Sequence, residues 1–389
     1  MIMPTWIIEP RDPLIVRDGR PFGPQPGARA VSLGFPFPST TAGGLRTRAG
    51  SNTAGYFDAK PEDVKGIAVQ GPLLIELDMS GQIIEWLTPA PADALLLTGR
   101  TDNRTERRRL VPLRRFEGAT TDGPIGLSLV GLPTPDPRKP VAKPPRFWHW
   151  DVFERWLTDP PLRDEQVLAS LGHDGPRAER RMHVSIDPTT RANVREALFQ
   201  TSGLEFTRCG SEDELGTARR LALAVCSDTP KVTNGLAPLG GERRLVAWRE
   251  SARGLPACPE DVRRQVSKQG CCRIILLTPA YFKEGSRPTW LRAPLVGVTP
   301  ELKAAAMPRA HVVSGWDFEK KRPKPTRRLM PAGSVLFLQL NGEARAIDKW
   351  IDAMWMGTIS DDEQDRRDGF GLVALGTWDG QYIPMEDEQ

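Results

Sequence analysis

The sequence is poor in the residues most often used for chemistry. Four histidines and three tyrosines are spread over 389 residues. His149, His173, His183 and His311 stand at no metal-ligand spacing. The cysteines, Cys209, Cys226, Cys258, Cys271 and Cys272, are odd in number and form no C-x-x-C pair. That argues against a disulfide framework or a zinc site and fits free thiols in a reducing compartment. There is no G-x-S-x-G elbow and no G-x-x-x-x-G-K-S/T phosphate loop. Long apolar runs are also missing. Residues 95–97 and 274–277 are strand-sized, against the ~20 residues that span a bilayer. The first thirteen residues carry Glu9 and Asp12 and no apolar stretch of signal length. The expectation is a cytoplasmic protein with no membrane partner and no cofactor.

What is abundant is punctuation and uneven charge. With 36 glycines and 37 prolines, close to a fifth of the chain breaks regular structure. This predicts many turns and long connections around an α+β core, not a helical bundle. Net charge is +4, but residues 361–389 hold nine acids against two arginines. The rest of the chain is therefore strongly basic. Seven arginines lie in 100–115 with only Asp102 and Glu106 to offset them. Residues 320–328, KKRPKPTRR, carry six cations and no acid. Arginine forks bind phosphate bidentately, and prolines keep a basic segment extended. A polyanion partner is the expectation from both runs, although a single charge run is more often a solvated face.

Residues 6–9 read as a first strand, followed by a Gly/Pro-rich loop over 11–38. P-S-T-T-A-G-G-L-R at 38–46 reads as a helix start. Residues 67–78 read as a strand pair around Gly71-Pro72, and 95–98 as another strand. The proline-rich stretch 132–146 reads as an extended connector. The segment 147–157 reads as an aromatic helix with Trp148, Phe153 and Trp156 in the core. A hairpin is expected over 182–206, with a polar tip at 187–196. Strands follow at 219–226, 244–249, 273–278, 310–316 and 334–340, with helices at 259–268 and 343–355. Residues 369–376, G-F-G-L-V-A-L-G, follow the last helix and lead into a strand. A dinucleotide site needs its glycines to leave a strand and open a helix, so that reading fails. Glycines with uncovered N–H groups suit the close approach of a polyanion better. The second half reads as βαββαβ with one extra strand, the ferredoxin-like order.

Here the chain resembles a known family. A glycine-rich loop between the last helix and last strand of a ferredoxin-like unit is similar to the RAMP superfamily of CRISPR-associated RNA-binding proteins. Residues 38–46 resemble the segment that opens their first helix, and H-V-S-I-D-P-T-T at 183–190 with A-L-F-Q-T at 197–201 resembles their thumb hairpin. L-G-G-E-R-R at 239–244, residues 313–328 and P-A-G-S-V at 331–335 resemble the third-named subunit family of the type III-B Cmr module. The resemblance implies two ferredoxin-like (RRM-like) units with long insertions and a thumb-like hairpin. The first spans 1–230, with an insertion at about 100–180 and the thumb at 182–206. The second spans 231–389, with the Gly-rich loop at 369–376.

The resemblance also implies a non-catalytic role. The subunit would grip the 5′ tag of the guide RNA (crRNA), dock the large polymerase/nuclease-type subunit and contact the first copy of the backbone subunit. Carried onto this sequence, the RNA contacts are Ser39, Thr40, Thr41, Gly43, Gly44 and Arg46 at the helix start, and His183 and Arg191 on the thumb. Gly240 and Gly241, and Gly369, Gly371 and Gly376, complete that set. Where the relatives often have glycine at the thumb tip, this chain has T-T-R-A-N-V-R. From the residues themselves, Lys324, Arg327 and Arg328 add charge, and Trp316 and Phe370 are candidates to stack on bases.

Two rivals remain. A Cas6-like RAMP endoribonuclease cutting precursor crRNA would need a histidine or tyrosine near the glycine loop as general acid or base. A plain protein-interaction module would show no salt-dependent RNA binding. The acids at 361–365 sit on one loop without a base or nucleophile, so a solvated or protein-facing loop is expected there, not a magnesium site.

Overall fold

A computed structural model describes residues 3–17, 29–99, 104–114, 126–208, 218–229, 231–314, 316–317, 322–323 and 325–384. The chain is a mixed α/β protein, built mostly of antiparallel sheet with few helices. It divides into two compact units, each assembled from three stretches. One comprises 1–84, 175–254 and 312–328, and the other 85–174, 255–311 and 329–389. Residues 231–254 thus pack with the first unit and 85–174 with the second. No helix among the described residues is long and apolar enough to cross a membrane.

The first unit is organised by four strands: β1 (Thr5–Pro10), β2 (Val69–Leu77), β6 (Arg219–Ser227) and β7 (Leu245–Ser251). Across the sheet they stand in the order β2–β6–β1–β7, every neighbour antiparallel. Ile7 lies opposite both Ala224 and Arg249. Helix α1 (Pro38–Ala49) occupies the β1-to-β2 connection. Residues 67–78 form one bulged strand, not a pair. Gly71 sits at φ +111°, where a Cβ would meet the Ala224 carbonyl at 2.8 Å, and the register to β6 shifts between Ala224 and Cys226. Between β2 and β6 the chain inserts the strand Ile83–Pro89, in which it passes into the second unit, and a long hairpin, β4 (Arg177–Ile186) with β5 (Asn193–Glu205).

The second unit repeats the strand order. β8 (Cys271–Leu276), β9 (Thr299–Ala306), β10 (Val335–Asn341) and β11 (Val373–Thr377) lie as β9–β10–β8–β11, again all antiparallel. Helix α2 (Trp150–Thr158) starts three residues later than the sequence suggests, after a short strand Phe147–His149. Trp148, Phe153 and Trp156 are buried as expected. Helix α3 (Glu260–Gln269) has acids in its first turn, Lys268 in its last and Gly270 in the left-handed cap position. Helix α4 (Ala344–Met354) buries Ile347, Trp350, Ile351 and Met354, a single stripe at helical spacing. A short helix, α5 (Glu363–Asp368), precedes β11. The strand expected over 310–316 is instead part of a two-stranded ribbon. His311–Val313 pairs with Arg327–Leu329, and Trp316–Asp317 with Arg322–Pro323. Val312 is exposed there.

The core of the second unit contains a fully buried charge. Arg273 donates through Nε to the Thr377 carbonyl (2.8 Å), through Nη2 to the Trp156 carbonyl (2.6 Å) and through Nη1 to Asp93. Asp93 also accepts from the Trp156 indole at 2.9 Å. Each of the three guanidinium nitrogens faces an acceptor, which is what makes such a burial tolerable. We predict that Asp93→Ala lowers the unfolding free energy by about 3–5 kcal/mol, the cost of stranding a buried cation. Asp352→Ala, at an exposed pair with Arg263, should change it by under ~1 kcal/mol. Denaturant titration of both variants reads the difference, and equal effects would refute it.

Candidate RNA interface

Helix α1 begins at Pro38, whose missing N–H and fixed φ suit the first helical position. Its first turn is partly used inside the chain. The Thr40 N–H donates to the Phe37 carbonyl (2.9 Å), and the buried Thr41 hydroxyl donates to the Pro38 carbonyl (3.0 Å). Arg46 is turned inward as well, its guanidinium donating twice to the Ile67 carbonyl at 3.1 and 2.8 Å. The two glycines differ sharply. A Cβ on Gly44 would lie 2.5 Å from Leu239 Cδ1 and 3.3 Å from the Trp248 ring, so Gly44 is required by packing. A Cβ on Gly43 would meet nothing within 4 Å among the described residues. Ser39, Gly43 and Thr47 are exposed at i, i+4 and i+8, so α1 presents a face of small side chains to solvent.

The other expected segments of this unit converge on residues 14–16. Leu14 exchanges two backbone hydrogen bonds with Leu204 at the base of the hairpin (2.9 and 2.8 Å). Ile15 accepts from the Gly241 N–H at 2.7 Å. Gly240 sits at φ +74°, where a Cβ would stand 2.4 Å from the Ile15 carbonyl oxygen. Leu239, next to it, is the residue against which Gly44 packs. The α1 start, the Gly240-Gly241 turn and the hairpin base therefore form one continuous assembly. On the hairpin, His183 Nε2 lies 2.9 Å from Thr201 Oγ1, and its ring stacks on Phe199 with centroids 5.1 Å apart. At the tip, Arg191 adopts φ +55°, the conformation for which glycine is favoured. Asp187 replaces the glycine solution, accepting from the N–H groups of Thr189 (2.7 Å) and Thr190 (3.0 Å). Met182, Val184, Ile186 and Leu198 form an exposed apolar row along the same hairpin.

Other expected sites fall elsewhere. Gly369, Phe370, Gly371 and Gly376 are buried in the second unit. Gly369 ends α5 at φ +95°. The Phe370 N–H donates to Asp365 O and the Gly371 N–H to Pro279 O. A Cβ on Gly371 would stand 2.9 Å from Ser360 N, and one on Gly376 3.0 Å from Arg273 Nη2. These glycines serve close packing, their N–H groups are not uncovered toward solvent, and Phe370, 2% exposed, offers no stacking face.

Of the arginine run, Arg107, Arg108 and Arg109 are buried or half-buried, Arg104 and Arg114 are exposed, and Arg100 and Arg115 lie outside the described residues. Arg107 pairs with Asp164 and lies over the Trp148 and Trp156 rings. Arg108 meets Glu106 and Asp136, and Arg104 meets Glu165. Arg109 donates to the Pro160 carbonyl, and burial, with the Arg273 charge second, pushes it down to about 10. Glu106 is held below the usual carboxylate range, first by its hydrogen bond from Arg138. The acids at 361–365 have structural work too. Asp361 accepts from the N–H groups of Lys283 and Thr289, both at 2.8 Å, and Asp362 caps α5. In the basic ribbon Arg322 and Arg328 are exposed and Arg327 is half-buried. The Trp316 side chain and Lys324 lie outside the described residues. Sequence reasoning passed over Arg180, Arg181 and Arg243, exposed cations on β4 and in the Gly240–Arg244 turn.

The contrast between the two helix glycines is directly testable. Gly43→Ala should raise stability by up to about 1 kcal/mol, the helix preference for Ala in open space. Gly44→Ala should lower it by about 1–3 kcal/mol through overpacking on Leu239. Thermal unfolding of both variants gives the signs, and like signs would contradict the packing described.

No curated protein matches the sequence. Among solved structures, the chain is similar to one in the cryo-EM structure of the type III-B Cmr-beta bound to cognate target RNA. The two are 15% identical, with a TM-score of 0.50, covering 95% of this chain and 96% of that one. A chain in the same assembly bound to cognate target RNA and AMPPnP, state 1, matches at 14% identity and TM-score 0.45, over 90% of this chain and 87% of that one. The family model for the CRISPR-associated protein Cas_Cmr3 matches residues 6–378, nearly the whole length, and the chain belongs to that family.

Proposed function

We propose that this Cas_Cmr3-family chain is the non-cutting scaffold subunit of a type III-B effector that holds the 5′ tag of the guide RNA. The single observation that carries the reading is Gly43. An exposed glycine inside a helix costs about 1 kcal/mol relative to alanine, and nothing among the described residues occupies the space that its missing Cβ leaves. An approaching backbone of another molecule is the economical explanation. At a helix N-terminus, beside exposed Ser39, that backbone is best an anionic one. In the two sheets, each with its strands in the chain order second–third–first–fourth, we read two ferredoxin-like units. The first keeps only its first crossover helix, and the second its second. The apolar row Met182, Val184, Ile186 and Leu198 supports docking of the hairpin on a protein neighbour, the first backbone copy. The large polymerase-type subunit is the other proposed protein partner.

The endoribonuclease alternative finds little support in the histidines of the first unit. His183 is the sole histidine of the first unit, and its Nε2 and ring are already engaged by Thr201 and Phe199.

Purified chain should bind tagged guide RNA in a salt-dependent manner and leave it uncut. Gly43→Ala should weaken that binding at least tenfold, although the fold is no less stable. Unchanged affinity would remove α1 from the interface, and metal-independent shortening of the RNA would favour the endoribonuclease. Reversing Arg322 and Arg328 together should flatten the log–log salt slope by about 0.7 for each phosphate no longer neutralised, for all RNA sequences alike. An unchanged slope would assign the ribbon to protein contacts.

A further inference from the structure

The turn that joins α1 to the hairpin base carries a further arrangement within the proposed RNA interface. After Gly240 the chain places Glu242 at φ +55° and Arg243 at φ +51°, two successive non-glycine residues in the left-handed region. Each costs roughly 1 kcal/mol or more. The turn holds the Glu242 carboxylate between two guanidinium groups. Arg17 Nη2 meets Oε1 at 3.2 Å, and Arg244 Nη2 meets Oε2 at 2.9 Å. The side chains of Arg17, Glu242 and Arg244 remain partly open to solvent, at 36%, 40% and 23%. Beside them, Arg244 shares one shallow cleft with Ile15, Glu179, Arg181 and Thr201. Around this cleft and turn, Arg17, Arg181, Arg243 and Arg244 stand with Glu179, Glu242, Asp12 and Glu205, so the cations are matched by acids in number.

We propose that this Arg17–Glu242–Arg244 group is a phosphate subsite whose place is kept by a carboxylate until RNA arrives. A phosphodiester offers two non-bridging oxygens and one negative charge, as the Glu242 carboxylate does, and guanidinium forks bind both geometries. Exposed ion pairs of this kind contribute little to stability, so exchanging one anion for the other is easy. Released, Glu242 returns to water. The carboxylate competes with any single phosphate, and an RNA already anchored at α1 overcomes it through its higher local concentration. The device thereby discriminates against unanchored polyanions.

This inference rests on the RNA-binding reading, and the test separates the two. Full-length parent, Glu242→Gln and Glu242→Gln/Arg244→Ala proteins are titrated with a fluorescein-labelled tagged guide RNA and, separately, with a linear polyphosphate. Glu242→Gln keeps the shape and removes the competing charge. It should bind both probes at least threefold more tightly, and Arg244→Ala should abolish the gain. Equal or weaker binding by Glu242→Gln, with a lowered Tm, would show a purely structural ion pair and overturn the proposal. If the parent binds no guide RNA, the scaffold reading fails, and the polyphosphate series alone decides the subsite: a gain keeps it, no gain removes it.

Discussion

The Ile15 carbonyl accepts the Gly241 N–H at 2.7 Å, at a spot where the Gly240 backbone passes too close for any side chain. Much of the first unit is arranged around that contact. One residue earlier, Leu14 ties the base of the hairpin, and one residue before Gly240, Leu239 supports Gly44 of α1. Segments far apart in the chain therefore share a single backbone junction. Loops alone would not hold the helix start and the hairpin in one fixed arrangement. Main-chain contacts at Leu14, Ile15 and Gly241, with the Leu239 side chain against Gly44, supply that arrangement.

How far this was legible from the sequence depended on the range of the interaction. The α1 start was readable because Pro38 and the hydroxyls after it act locally. The hairpin and most strands of each sheet were found to within a few residues, since apolar alternation is also local. The pairing of Arg107 with Asp164 was not readable. A run of like charges looks the same whether its counter-ions are solvent, RNA or a strand more than fifty residues away. The glycines of 369–376 failed for a related reason. A missing side chain permits close approach, but the sequence does not say whether the approaching group is a ligand or the protein itself; here it includes Ser360 and Arg273. The same ambiguity, resolved in space, separates Gly44 from Gly43. The family resemblance could not tell which residues of its segments face outward.

The second unit owes its order to a different device. Arg273 crosses from β8 to the last strand and to α2 through its hydrogen bonds to the Thr377 and Trp156 carbonyls, and Arg104, Arg107 and Arg108 of the arginine run belong to ion pairs of the same unit. Charge in this protein is thus divided between two tasks. In the second unit much of it is buried or paired and builds structure. In the first, Glu9, Arg46 and Glu76 are buried in the same way, and a further set clusters, partly exposed, around the hairpin base and the Gly240–Arg244 turn.

Photo-crosslinking with 4-thiouridine placed through the 5′ tag of a bound guide RNA, followed by peptide mapping, tests that division most directly. Adducts are predicted within residues 38–48, 177–205 and 239–245. Adducts concentrated in 271–276 and 369–377, with none in the first unit, would contradict it.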